Sequence, residues 1–155
     1  MKKFLSAVFI IAVVCTLCGA ERQAKEVKWN TNYAVAQKMA AEKKIPILML
    51  FSGSDWCPPC IMLDNNVLKT LQFAEFAASG KAVLFHADFP RRKKQPHQLT
   101  VQNNQLMEKY QIQGVPSIVL TDAAGKEFAR TGYRPGTVEK YIEHLEELLK
   151  KAPAK

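Results

Sequence analysis

Two cysteines stand three positions apart near the middle of the chain, in the sequence Cys57-Pro58-Pro59-Cys60. A dithiol with this spacing suits thiol–disulfide exchange, because one sulfur can attack a substrate disulfide while the other is close enough to resolve the mixed disulfide. As a structural cross-link the pair would be weak, since so short a loop gains only about 2 kcal/mol in the chain-entropy model. The pair is therefore a candidate redox site, with a zinc or copper site and an inert disulfide as the alternatives.

The other two cysteines, Cys15 and Cys18, fall in a segment with the pattern of a secretory signal peptide, residues 1–20. A charged start, an apolar run and small residues before the cleavage site are supplied by Lys2-Lys3, Phe4 to Leu17 and Cys18-Gly19-Ala20. We expect cleavage after Ala20, export to the periplasm, and a mature domain of residues 21–155 that keeps only the C-P-P-C pair. Lipidation of Cys18 is the less favoured alternative, because a large residue precedes it.

Length and composition limit the class of protein. The chain has 155 residues, of which 48% are apolar and 23% charged, which indicates one globular domain and excludes a disordered chain or a membrane bundle. Lysine and arginine total 22 against 14 acidic residues, and the net charge of +8 favours acidic partners or surfaces.

The elements around the cysteines can be predicted from apolar runs and turn residues. Ile47 to Phe51 is a continuous apolar run, typical of a central strand covered on both faces. The turn Ser52 to Asp55 follows, and Pro58 and Pro59 fit the first turn of a helix that we expect to run to about Leu68.

The rest of the chain alternates between helices and strands, which predicts the α/β class. The further predicted helices are Tyr33–Lys44, Leu71–Ala78, Gln102–Tyr110 and a final helix capped by Thr137, and the further strands are Ala82–Ala87, Val115–Thr121 and Glu127–Thr131, with a possible short strand near Trp29. Only the turn at residues 122–125 separates the last two strands, so they should form an antiparallel hairpin.

With these motifs in place, the chain resembles the thioredoxin superfamily from Val27 to Leu149. The resemblance depends on Trp56-Cys57-Pro58-Pro59-Cys60 at a strand-to-helix junction, on Gly114-Val115-Pro116-Ser117 before a later strand, and on Gly125 and Gly132. It implies the thioredoxin fold, a central mixed sheet flanked by helices with a C-terminal antiparallel hairpin and a final helix. Within the superfamily the chain is most similar to small exported thioredoxins, including the reductase class called DsbH and the C-terminal domain of DsbD.

The resemblance also assigns roles to residues. It implies that Cys57 attacks and Cys60 resolves, that Pro116 follows a cis peptide bond, that Trp56, Val115 and Pro116 contact the substrate, and that no cofactor takes part. The position of Cys57 just before a helix favours its thiolate, and we expect Cys60, one turn further in, to be more buried.

The two prolines between the cysteines bear on the direction of electron flow. They add no charge and remove two N–H donors, which leaves the N–H groups of Cys60 and Ile61 for the Cys57 sulfur. A less stabilised thiolate makes a less oxidising couple, so we predict a reductase that takes electrons from a membrane or periplasmic donor and reduces disulfide-containing proteins, as a monomer. An oxidase or isomerase, or a cytochrome c maturation reductase, is the alternative.

One feature of thioredoxins is missing. They usually keep a buried acid in the strand before the motif, which helps to deprotonate the resolving cysteine, whereas this chain has Leu50-Phe51 there. Asp55 is the nearest carboxylate and is the possible proton acceptor, with a water molecule as the alternative.

A protein that binds a metal or a client without turnover is the hypothesis from another class. A closed zinc site needs four ligands, and His86, His97 and His144 are spread over three predicted elements, so we expect no metal. His86 and Asp88 share one face of a strand, where a hydrogen-bonded pair is the simplest interpretation.

A basic loop, Arg91-Arg92-Lys93-Lys94, follows the strand that ends at Asp88. Without interleaved aromatic residues it does not indicate nucleic-acid binding. Parallel strands end at the same edge of a sheet, so the loop should lie near Cys57. It is either a solvated loop or a surface that docks an acidic partner.

Overall fold

The apolar run before the cysteines forms strand β1, Ile47–Ser52, in the computed structural model, which describes residues 27–153. The other strands are β2 (Val83–Asp88), β3 (Ser117–Thr121) and β4 (Glu127–Gly132). The sheet order is β2-β1-β3-β4, with β1 parallel to β2 and antiparallel to β3, and β3 antiparallel to β4. The predicted mixed sheet and C-terminal hairpin are confirmed. The predicted signal peptide, Cys15 and Cys18 lie outside the described residues.

Among the described residues, five α-helices surround the sheet, and their bounds are α1 Tyr33–Lys43, α2 Pro58–Leu63, α3 Leu71–Ala78, α4 His97–Lys109 and α5 Val138–Leu149. A π-helical turn, Asp64–Leu68, continues α2 to the residue at which the sequence predicted the helix to end. Thr137 accepts a hydrogen bond from the Lys140 N–H and caps α5 as predicted. No helix within the described part of the chain is both long enough and apolar enough to cross a membrane.

Strand β1 is buried along its whole length because helices cover both faces of the sheet. Leu48 and Leu50 pack into a core with α2, α3 and α5, whereas Met49 and Phe51 pack into a second core with α1 and α4. The prediction that the continuous apolar run is a central strand with no solvent-exposed face is therefore confirmed.

Two predicted boundaries were wrong by two residues or more, and several others differ by one residue. Helix α4 begins at His97 rather than Gln102, because the Pro96 carbonyl accepts hydrogen bonds from the N–H groups of Leu99 and Thr100 and so starts the helix before its buried residues. Strand β3 begins at Ser117 rather than Val115.

Candidate active site

Cys57 and Cys60 form a disulfide at the junction between β1 and α2, with 5.2 Å between their Cα atoms. Cys57 is the N-cap of α2, and its sulfur accepts a hydrogen bond from the Cys60 N–H at 3.3 Å. The Ile61 N–H donates instead to the Cys57 carbonyl oxygen at 3.0 Å. The expectation that two N–H groups reach the Cys57 sulfur was therefore wrong, since the Ile61 N–H bonds to the backbone and only that of Cys60 reaches the sulfur.

The two sulfur-bearing residues are almost equally buried, with 3% of Cys57 and 4% of Cys60 exposed. The expectation that Cys60 is the more buried residue was wrong in this measure. What distinguishes them is their surroundings, because Cys57 lines a wide cleft that opens to solvent and Cys60 lines a smaller, more enclosed pocket.

The open space beside Cys57, here called the apolar cleft, has a volume of about 440 Å³. Its walls come from residues 56–59, the loop after β2, helix α4 and the loop before β3, and they include Trp56, Cys57, Pro58, Pro59, Phe89, Met107, Ile112, Gln113, Gly114 and Val115. The Cys57 sulfur lies 3.4 Å from the Val115 carbonyl oxygen, and the following peptide bond, Val115–Pro116, is cis. The fold thus brings Trp56, Cys57 and Val115 together around the cleft, whereas Pro116, the next residue along the chain, is not part of its lining.

Trp56 is held in place on three sides. Its indole N–H donates to the Phe89 carbonyl oxygen at 2.7 Å, and one edge of the ring fills the space next to Gly53. The Arg91 guanidinium lies 3.7 Å from the centre of the ring. Phe89, which the sequence did not single out, thus joins the loop after β2 to the cleft.

The smaller pocket beside Cys60 has a volume of about 130 Å³ and includes His86 and Ser52 in its lining. The His86 Nε2 atom lies 2.6 Å from the Ser52 hydroxyl oxygen, and the Gly53 N–H donates to the Cys60 sulfur at 3.4 Å. Burial lowers the pKa of His86, although the carboxylates of Asp88 and Asp64 oppose that shift. His86 is therefore neutral at pH 7.

The predicted hydrogen bond between His86 and Asp88 is absent from the described contacts. Asp88 accepts hydrogen bonds from the backbone N–H and the hydroxyl of Ser54 at 2.9 and 2.6 Å, so its carboxylate holds the turn before the cysteines. The sequence placed both side chains on one face, but it could not show that each would meet a different serine.

Asp55 contacts the basic loop and neither sulfur. Its carboxylate accepts hydrogen bonds from the backbone N–H groups of Arg91, Arg92 and Lys93 at 2.9, 2.8 and 3.0 Å. These donors, with Arg91 first among them, lower the pKa of Asp55 below its ordinary value, and a carboxylate so stabilised is a weak proton acceptor. Its observed contacts assign it to the structure of the loop.

The remaining histidines lie away from the cysteines. His97 begins α4, and His144, on α5, has ring nitrogens near Arg134 and Thr131. Within residues 27–153, no three His, Cys, Asp or Glu side chains come together as metal ligands.

Comparison with known proteins shows which proteins this chain is similar to. The family model described as a thioredoxin-like domain matches residues 33–148. The chain is 33% identical to "Disulfide bond reductase DsbH" of Chlamydia pneumoniae, over 82% of this chain and 75% of that protein. It is 29% identical to "Thioredoxin-related protein DsbJ" of the same organism, over 84% of this chain but only 37% of that protein. A solved structure, "DsbH Oxidoreductase", superposes with a TM-score of 0.76 at 30% identity and covers 97% of this chain and 95% of its own.

Proposed function

The chain belongs to the thioredoxin-like family and is a thiol–disulfide oxidoreductase, and from this premise we propose that it is a reductase of protein disulfides in the periplasm. The leader pattern of residues 1–20 supports export. The name of the relative that is 33% identical, a disulfide bond reductase, supports the direction of electron flow.

The proposed reaction is dithiol–disulfide exchange. The Cys57 thiolate attacks one sulfur of the substrate disulfide, which forms a mixed disulfide and releases the first substrate thiolate. Cys60 then loses its proton and attacks the Cys57 sulfur, which releases the second substrate thiolate and leaves the Cys57–Cys60 disulfide. Two electrons pass to the substrate, and a membrane or periplasmic dithiol donor restores the reduced protein.

The environment of the Cys57 sulfur is the observation that supports a reductase. The thiolate of an oxidase is strongly stabilised by charge and hydrogen bonds, which favours the reduced protein. Here one backbone N–H, that of Cys60, donates to the sulfur, and Pro58 and Pro59 supply neither a donor nor a charge. A weakly stabilised thiolate gives electrons up readily.

The apolar cleft is the proposed binding site for the substrate chain. Trp56 forms an apolar wall of the cleft, and Val115 places its carbonyl oxygen next to the Cys57 sulfur. Pro116 shapes the loop that presents Val115. An extended segment with a disulfide can bind there through its backbone and apolar side chains. We propose that the protein acts as a monomer and without a cofactor.

The reduction potential, measured by equilibration with glutathione, tests the direction. A value of about −270 mV, the range of thioredoxin, is expected for a reductase, and a value of about −120 mV would instead identify an oxidase.

Reduction of insulin tests the roles of the cysteines. Cys57→Ser should abolish turnover, and Cys60→Ser should accumulate a mixed disulfide with the substrate, a species that should not form when Cys57 is absent.

A further inference from the structure

The basic loop, Arg91–Lys94, is fixed beside the active site. Three successive backbone N–H groups of the loop, from Arg91 to Lys93, donate to the single carboxylate of Asp55. Asp55 lies two residues before Cys57, so the loop is tied to the same turn that carries the attacking sulfur. The Asp55 carboxylate thus orders the backbone of the loop. The charged groups of the four loop side chains remain available for other contacts.

The four side chains of the loop form no ion pair with the residues that the structure describes. All four are exposed, and among residues 27–153 the ion pairs of lysine and arginine lie elsewhere, as in Lys81 with Glu146 and Arg130 with Glu127.

Arg91 connects the basic loop to the apolar cleft. Its guanidinium lies over the face of Trp56, a contact typical of a cation–π interaction, and Trp56 is itself a wall of the cleft. The cleft beside Cys57 is apolar, and the surface immediately beyond Trp56 is cationic. A chain bound along this surface would pass from an apolar to a positively charged region within a few residues.

We propose that the basic loop selects substrate proteins whose target disulfide is flanked by acidic residues, with the apolar cleft holding the chain next to the cysteine and Arg92, Lys93 and Lys94 binding the carboxylates beyond. This inference rests on the proposed function, because it assigns a substrate class to the Cys57 site. Exposed charges of this kind act mainly on the rate of association, and salt screens them over a Debye length of about 8 Å at physiological ionic strength.

Three peptides test the selection. They share one length and one disulfide within an apolar segment, and they differ only in flanking positions occupied by Glu, Gln or Lys. The second-order rate constant for their reduction by the pre-reduced protein is measured at low and high salt. We expect the Glu peptide to react about tenfold faster than the Gln peptide at about 25 mM salt and less than about threefold faster at about 300 mM salt.

Two matched variants locate the effect. Lys93→Glu with Lys94→Glu should remove the advantage of the Glu peptide. Lys43→Glu with Lys44→Glu, also a pair of exposed neighbouring lysines, lies before the start of β1, at the opposite end of the strand from Cys57, and should keep the advantage. The Lys43→Glu with Lys44→Glu variant should also reduce the Gln peptide at the wild-type rate.

The outcomes separate this proposal from the proposed function. If all three peptides are reduced equally at low salt, or if Lys93→Glu with Lys94→Glu retains the preference, the proposal for the loop is overturned while disulfide reduction stands. If no peptide is reduced, the proposed function fails and this inference with it. Binding of anionic lipid vesicles through Lys93 and Lys94, with no advantage for the Glu peptide, would assign the loop to a membrane surface and overturn the proposal.

Discussion

The indole ring of Trp56 occupies the space in which a side chain at Gly53 would lie. A Cβ atom built on Gly53 would come within 2.5 Å of the indole Nε1 atom, closer than real Cβ contacts allow. Gly53 also donates its N–H to the Cys60 sulfur at 3.4 Å. One glycine thus allows Trp56 to lie close against the turn that leads to the cysteines, and the position of the cleft wall depends on it.

Gly53→Ala should therefore displace Trp56 and break its hydrogen bond to the Phe89 carbonyl oxygen. We expect a loss of about 1–3 kcal/mol in the free energy of unfolding, as for overpacking in a core, together with a change in Trp56 fluorescence. Gly114→Ala is the matched control, because a Cβ at Gly114 would meet no atom within 4 Å. Equal stability losses in the two variants would contradict this account of Gly53.

Replacing one of the prolines should make the protein more oxidising. In Pro59→His an imidazolium and a backbone N–H are added next to the Cys57 thiolate, which stabilises the reduced form. We expect the reduction potential to become less negative by tens of millivolts, with about 30 mV corresponding to 1.4 kcal/mol. Pro59→Ala restores the N–H without the charge and should shift the potential less. The two shifts are measured against glutathione, and a shift of Pro59→His to a more negative potential would refute the explanation.

The parts of this fold that the sequence predicted are those that leave a local pattern. The run Ile47 to Phe51 is apolar because helices cover both faces of β1, and a two-sided core is visible in the sequence without any knowledge of its partners. The short turn between β3 and β4 likewise indicates a hairpin by its length. The start of α4 at His97 leaves no such pattern, because its first turn is largely exposed and contains no periodic apolar residues.

The contacts that the sequence could not predict join residues far apart in the chain. Asp55 and Arg91 are 36 positions apart, and only the parallel pairing of β1 with β2 brings their two loops together. His86 contacts Ser52 across the same pair of strands, and both residues therefore line the pocket beside Cys60. The disulfide between Cys57 and Cys60 could be predicted from their spacing, whereas the surroundings of Cys60 required the sheet.

Asp55→Asn should loosen the basic loop and leave the resolving step unchanged. The neutral amide is a poorer acceptor for three N–H groups than a carboxylate, so we expect trypsin to cut the loop at Arg91–Lys94 several times faster. The rate at which Cys60 resolves a mixed disulfide should stay within about twofold, because the low pKa of Asp55 makes it a weak base.

Asp122→Asn is the control for this variant, since Asp122 also accepts a backbone hydrogen bond, from Lys126 at 2.8 Å, but in the hairpin turn. It should not change cleavage of the basic loop. A marked slowing of resolution in Asp55→Asn would return Asp55 to the mechanism as the proton acceptor.

Thr121 offers a site at which the protein can be made more stable. Its side chain is fully buried in β3, and its hydroxyl has no hydrogen-bond partner among the described residues. Thr121→Val removes the unpaired hydroxyl with little change of shape, so we expect the free energy of unfolding in urea to rise by about 1 kcal/mol. Thr121→Ser keeps the hydroxyl and loses the methyl group, and should lower it by about 1 kcal/mol. A destabilised Thr121→Val would show that the hydroxyl is satisfied.

The stability of the protein should fall as the pH is lowered from 7 to 5, and His86 should account for much of the loss. Burial lowers the pKa of His86 in the folded protein, opposed by Asp88 and Asp64, so below about pH 6.5 the unfolded chain binds a proton that the folded protein does not. The stabilisation is therefore present above the unfolded pKa and is lost as the pH falls toward the folded one. One such group gives a slope of at most about 1.4 kcal/mol per pH unit.

His86→Gln removes the titrating ring and keeps an amide that can bond to Ser52. We expect its free energy of unfolding, from urea titrations at pH 5, 6 and 7, to depend less on pH than that of the wild type. His97→Gln, at the exposed start of α4, is the control and should keep the wild-type slope. An unchanged slope in His86→Gln would show that the acid sensitivity arises from other groups, among them His144, whose pKa is also lowered by burial and by Arg134.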